Sequence, residues 1–264
     1  MPTIHVNGVD LYYESHGAGQ PVVLVHGLGS STRDWEPQVE GLASRFRVIT
    51  FDVRGHGRSA KPRQRYSVAL FAADTTALIR ALDLGPVHLV GISMGGMIAF
   101  QVAVSNPNLV RSLVIVNSGP AMPITTFAQR SMIWTRIAIV RLRGMRKMGD
   151  VLATRLLPKP EHAARRAEFV ERWAENDPVA YLASLKGMLN WSVLEQLKDI
   201  RCPTLILSAD RDYTPIPAKQ AYTAMIPGAE LVVIDDAGHM LPVERPDACN
   251  RALLAFLERV NLPE

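Results

Sequence analysis

Ser93 sits in Val87-His-Leu-Val-Gly-Ile-Ser-Met-Gly-Gly-Met-Ile-Ala-Phe100, where a short apolar run gives way to helical spacing. Val87, Leu89, Val90 and Ile92 suit a buried strand. Met97, Ile98, Val102 and Val104 suit a helix, so the period changes between Gly91 and Gly96. A strand that turns sharply into a helix strains the turn residue and crowds its neighbours, and Gly91 and Gly95 remove the side chains that would clash. The Ser93 hydroxyl is thereby raised above a sheet, where it can act as a nucleophile. The plainer reading of the same residues is a glycine-rich turn with Ser93 capping the helix.

A serine hydroxyl is a poor nucleophile near neutral pH and needs a base within hydrogen-bond reach, itself oriented by a carboxylate. In strand–helix scaffolds with such a turn, the acid and then the histidine follow the nucleophile along the chain. That order removes His5, His16, His26, His56 and His88. His162 falls in a helical stretch beside Glu161, away from any strand end. His239, in Asp235-Asp-Ala-Gly-His-Met-Leu-Pro242, follows the last strand and is the expected base. The acid should leave the preceding strand, where Leu205-Ile-Leu-Ser-Ala-Asp-Arg-Asp-Tyr-Thr-Pro215 offers both Asp210 and Asp212.

Those residues need a sheet to hold them. Apolar runs predict eight strands, at 3–6, 11–14, 22–25, 48–51, 87–92, 113–116, 205–207 and 231–234. The first two alternate and meet at Asn7-Gly8, a hairpin signal; the later ones are almost wholly apolar and so covered on both faces. Helical spacing predicts helices over 35–44, 68–84, 94–105, 217–225 and 245–260, with Ser67 capping the second and Gly85-Pro86 ending it. Strands alternating with helices give an α/β fold, an eight-stranded mostly parallel sheet with helices on both faces. From 121 to 192 the strand signal disappears and helical segments follow one another, broken at Gly149, Pro158, Pro160 and Pro178. The expected organisation is therefore a core of 1–120 and 193–264 with a helical cap, 121–192, inserted over the carboxyl ends of the strands, where ligands bind in open α/β sheets.

Composition narrows the class further. The 264 residues are 48% hydrophobic and 20% charged, ordinary for a folded soluble chain. Within 122–192 there are twelve Lys or Arg against six acids, while the rest is slightly acidic; a solvated helical face accounts for this, with an anionic substrate or a membrane surface as alternatives. Nothing marks a nucleic-acid-binding module. No apolar run reaches the length of a membrane span. Met-Pro-Thr-Ile-His lacks a secretory pattern, and Cys202 and Cys249 lack metal-ligand spacing, so a reducing cytoplasmic setting without a metal is expected.

With these residues in place, the chain resembles the α/β-hydrolase superfamily, in particular its serine esterase and enol-lactonase members. The resemblance covers all but the cap. In that family the strand before the acid commonly ends in Gly-x-x-Asp; aligning Ala209 with the glycine, which is missing here, implies Asp212 as the acid and leaves Asp210 to a turn or ion pair. Val25-His-Gly-Leu-Gly29 is similar to the family's oxyanion loop, which implies the backbone N–H groups of Leu28 and Met94 as donors to a tetrahedral intermediate, each contributing about 3–4 kcal/mol. His26 would brace that loop. Phe51-Asp-Val-Arg-Gly-His-Gly-Arg-Ser59 resembles a family loop in which Asp52, Arg54 and His56 serve as scaffold.

A serine rather than an aspartate at the turn separates the chain from haloalkane dehalogenases and epoxide hydrolases. The resemblance implies a cofactor-free hydrolase that cleaves a small-molecule carboxylic ester or lactone through an acyl-enzyme. Carbon–carbon bond hydrolases, cofactor-free perhydrolases or haloperoxidases, and thioesterases would use the same three residues. A ligand receptor with little turnover is the alternative from another class. Trp134 and Met94 are the candidate apolar side chains for the substrate pocket, with packing in the core as the alternative for residues of these types in helices.

Overall fold

Asn7 and Gly8 carry φ values of 49° and 70°, and the flanking Val6 and Val9 pair directly, so this two-residue turn folds the first two strands into a hairpin. The computed structural model describes residues 2–261. Residues 1 and 262–264, the outermost positions of the expected core, lie outside the described residues. The strands are β1 (Thr3–Val6), β2 (Val9–His16), β3 (Pro21–Val25), β4 (Arg47–Phe51), β5 (Val87–Ile92), β6 (Val110–Val116), β7 (Thr204–Ala209) and β8 (Glu230–Ile234). They form one sheet in the order β1-β2-β4-β3-β5-β6-β7-β8, antiparallel as far as β4 and parallel from there on.

Helices α1 (Glu36–Leu42), α2 (Val68–Ala81) and α3 (Met94–Ser105) follow the early strands. Helices α4 (Phe127–Leu156), α5 (Ala163–Ala174) and α6 (Pro178–Met188) lie between β6 and β7, and α7 (Ile216–Thr223), α8 (Leu241–Glu244) and α9 (Pro246–Asn261) complete the chain. Successive strand residues point to opposite faces. Val23, Ile49, Leu89 and Leu113 meet Phe71, Leu78, Ile98 and Phe100 of α2 and α3. Val22, Val48, Val90 and Val114 meet Leu42, Leu253 and Phe256 of α1 and α9. Near-continuous apolar strands are what a sheet covered on both sides requires. As the sequence predicts, Ser67 accepts from Leu70 N (3.1 Å) to start α2. That helix stops at Ala81, earlier than expected, because Asp83 turns left-handed (φ 48°) and Leu84 N reaches back to Ile79 O (3.2 Å).

The helical stretch leaves and rejoins the core at one place. Ala121 bridges Ser192, Met122 N donates to Trp191 O (2.9 Å) and Asn190 N to Met122 O (2.9 Å). The expected break at Gly149 is not there: α4 is interrupted at Gly144, where φ 76° and ψ 179° are open only to glycine. Gly149 stays helical and buried, and a Cβ there would stand 3.0 Å from Trp173 Cβ, so its smallness lets α4 pack on α5. Trp173 stacks on Phe169 (centroids 5.2 Å apart) and meets the edge of Tyr181, centring a cluster with Ile137, Val140 and Leu185. No helix among the described residues is long and apolar enough to cross a membrane.

Candidate active site

Ser93 connects β5 to α3 with φ 54° and ψ −118°, a conformation that costs a non-glycine residue on the order of 1–3 kcal/mol. The surroundings hold it there. Ser93 N donates to Val116 O (3.1 Å), and Ser118 Oγ donates to Ser93 O (2.6 Å). A Cβ on Gly91 would overlap the Gly95 carbonyl, and one on Gly95 would overlap that of Val25, so both glycines are required for the close approach.

His239 lies in the loop between β8 and α8, and its Nδ1 is 2.6 Å from Asp212 Oδ1. A carboxylate there fixes the Nδ1–H tautomer and leaves Nε2 as the free base. The Asp212 side chain is only 1% exposed. Burial alone would raise its pKa, but the bond to His239 and the nearby Lys219 ammonium outweigh burial and hold it down to about 2. Asp210 has other work: Oδ1 accepts from Ala237 N (2.9 Å) and Oδ2 lies 3.7 Å from Arg211. Tyr213 stacks on the His239 ring, centroids 4.4 Å apart, and limits its rotation.

Three supporting residues escape sequence reasoning. Lys219 is wholly buried, with Nζ 2.6 Å from Asp212 Oδ2, 2.8 Å from Ser208 Oγ and 3.1 Å from Asn117 Oδ1; desolvation lowers its pKa while Asp212 opposes the fall. Asn117, at the end of β6, donates through Nδ2 to Gly238 O and His239 O (both 3.0 Å) and accepts from Ala209 N (2.8 Å), tying the histidine loop to β7. Glu244 accepts from Gly238 N and Met240 N (both 3.1 Å), on either side of His239. A lysine sharing a helix face with buried Tyr222 and Thr223 was the available signal for the first.

The loop after β3 passes directly over the serine; a Cβ at Gly27 would lie 3.5 Å from Ser93 Cβ. His26 braces it, Nδ1 donating to Gly27 O (2.7 Å) and Nε2 accepting from Val53 N (2.9 Å), and burial pushes its pKa down to about 4. Leu28 N has no acceptor among the described residues, and Met94 N, first in α3, has no intrahelical one. Asp52 accepts from Thr32 N (2.8 Å) and Arg58 N (2.7 Å), and Arg54 pairs with Asp74 of α2 at 2.6 Å; Asp52, Arg54 and Asp74 are all buried.

Ser93, His239 and Leu28 open into one cavity of about 340 Å³ beneath α4, α5 and α6. Its lining is mostly apolar, including Met97, Leu152, Phe169, Trp173 and Met188. Trp134 is not part of it. Arg136, Ile137 and Val140 turn inward on α4, so Trp134 falls on the outer face and is 69% exposed. Met94 is buried in the core instead of the cavity, because as the first residue of α3 its side chain points back under the turn.

A model of the alpha/beta hydrolase family matches residues 22–252. The chain belongs to that family. This α/β hydrolase is 32% identical over 273 residues to a protein of Azorhizobium caulinodans named "Putative carbamate hydrolase RutD", covering 99% of the chain and all of the relative. It is 30% identical to the (E)-2-((N-methylformamido)methylene)succinate hydrolase of Acinetobacter baylyi, over 96% of the chain and 95% of that protein. A thermophilic esterase from Thermogutta terrifontis superposes with a TM-score of 0.90 at 26% identity, over 99% of this chain and 100% of the other. The family and these relatives make the protein a hydrolase.

Proposed function

We propose that this α/β hydrolase cleaves a carboxylic ester or lactone through an acyl-enzyme, with Ser93, His239 and Asp212 as its triad and residues 121–192 as a cap over the site. The observation that carries the reading is the 2.6 Å contact between His239 and Asp212, with His239 and Ser93 facing the same enclosed cavity. His239 Nε2 takes the Ser93 Oγ proton as the oxygen attacks the substrate carbonyl. Asp212, ionised over the working pH range, steadies the imidazolium. The carbonyl oxygen, now negative, lies against the N–H groups of Leu28 and Met94. Collapse expels the alkoxide, which receives the proton from His239; in a lactone it remains tethered. Water, deprotonated by His239, then releases the acid and restores Ser93.

Carbamates and thioesters present the same carbonyl to the same groups, and a relative bears the name of a carbamate hydrolase. The test is a panel of short p-nitrophenyl esters, lactones and carbamates, assayed with the wild-type protein and Ser93→Ala. Hydrolysis of an ester or lactone should fall by a factor on the order of 10³ or more in Ser93→Ala. Equal rates in the two proteins contradict the acyl-enzyme.

A further inference from the structure

Two arginines of the cap enter the cavity without a carboxylate to meet them. Arg136 donates through Nε to the Tyr181 hydroxyl, and its Cζ stands 5.4 Å from that ring. Arg155 lies over Tyr213, Cζ 4.6 Å from the centroid, and its Nη1 reaches only Met132 Sδ at 3.6 Å. Neither forms an ion pair among the described residues, although both line the space that Ser93 and His239 face. By contrast Arg146 pairs with Glu171, and Arg172 with Glu168 and Asp34. Arg130, Arg141 and Arg143 also have no ion pair among the described residues, but they do not line this cavity.

Asp34 is the one carboxylate lining the cavity, and it is engaged by Ser30 and lies 3.7 Å from Arg172. Arg155 packs on the ring of Tyr213, which in turn stacks on His239, so its guanidinium lies one ring away from the histidine. Guanidinium groups with unspent N–H donors beside an apolar space, Arg136 half-buried and Arg155 exposed at the edge, suit an anion, and their planar forks match a carboxylate.

We propose that the substrate is itself anionic: an ester or lactone bearing a free carboxylate, which Arg136 and Arg155 hold while the apolar walls take its carbon chain. This rests on the acyl-enzyme reading above and narrows it. The cations select the substrate by binding; they donate to its remote carboxylate and take no part in proton transfer. A lactone of that kind releases a hydroxylated dicarboxylate, and an ester with the free carboxylate on its acyl part releases a dicarboxylate and an alcohol, so in either case the reaction that consumes the acid product must accept a dianion.

The experiment compares monomethyl glutarate with dimethyl glutarate as substrates, and measures glutarate binding to Ser93→Ala protein by calorimetry. The wild type should favour the monoanion at least tenfold in kcat/KM, chiefly through KM. In Arg136→Gln/Arg155→Gln that preference should vanish, and glutarate should bind at least tenfold more weakly when the same pair is introduced into Ser93→Ala. Arg155→Gln alone, at the solvent edge, and Arg136→Lys, which keeps the charge, should each lose part of the preference and guard against misfolding of the double variant. Equal use of the two esters by the wild type, or a preference that survives the double replacement, overturns the proposal while leaving the triad intact. If neither ester is cleaved, the comparison of wild type with Ser93→Ala on the p-nitrophenyl ester, lactone and carbamate panel decides the acyl-enzyme reading, and the calorimetry separately decides the anion site: unchanged glutarate affinity in the arginine variants refutes it.

Discussion

The two aspartates separated by one residue take opposite parts, and the difference is one of contacts alone. Asp212 Oδ1 meets His239 and Oδ2 meets the buried Lys219, whereas Asp210 ties down a loop N–H and a surface arginine. Asp212→Asn should therefore lower kcat by a factor on the order of 10⁴, because the amide no longer favours the productive histidine tautomer. Asp210→Asn should cost less than about tenfold. Steady-state rates on one ester decide the matter, and the reverse ranking would transfer the orienting role. At this scale turn chemistry and chain order in the sequence single out Ser93 and His239 as the proposed nucleophile and base, and leave two candidates for the acid. It does not show Lys219 or Asn117. Their partners lie as far as 102 and 122 positions away, and the helix face that Lys219 shares with Tyr222 and Thr223 marks it as buried without showing what it bonds.

Strand and helix positions were legible because the central strands are buried on both faces, α9 carries one apolar stripe and α3 is apolar nearly all round. The internal anatomy of the helical insertion between β6 and β7 was less so. Gly144 and Gly149 look alike in the sequence, yet one breaks α4 and the other lets it touch α5. Nothing lies within 4 Å of a Cβ at Gly144, so the cost of a side chain there comes from the backbone alone. Gly144→Ala should destabilise the protein by about 1–3 kcal/mol, seen as a Tm lower by several degrees in calorimetry. An unchanged or higher Tm would mean that the helix straightens freely. Trp134 was misplaced for a related reason: composition shows an aromatic residue in a helix, but only the phase set by Arg136, Ile137 and Val140 shows which way it points.

Across the whole molecule, α/β alternation identifies the class of fold, and the carboxyl ends of β3, β5, β6, β7 and β8 then converge on one site. The same enclosure makes stability depend on pH. Burial holds His26 down to about 4, His56 to about 3 and His88 to about 4. In the unfolded chain each takes a proton near 6.5, so below that pH the unfolded state binds more protons than the folded one. Stability is full above about pH 6.5 and is lost as pH falls toward about 4, by up to about 1.4 kcal/mol per pH unit for each histidine. Tm should drop on the order of 10 °C between pH 7 and 5.5. A Tm that stays level over that interval would mean these imidazoles are not held neutral.

The serine on its strained turn is the centre of the account, and covalent capture tests it most directly. Intact protein treated with a fluorophosphonate should gain the mass of one phosphonyl group, located on the Ser93 peptide. Ser93→Ala should gain none, and His239→Ala should react far more slowly than the wild type. Labelling at another residue, or equal labelling of wild type and Ser93→Ala, would contradict the assignment of Ser93 as the nucleophile.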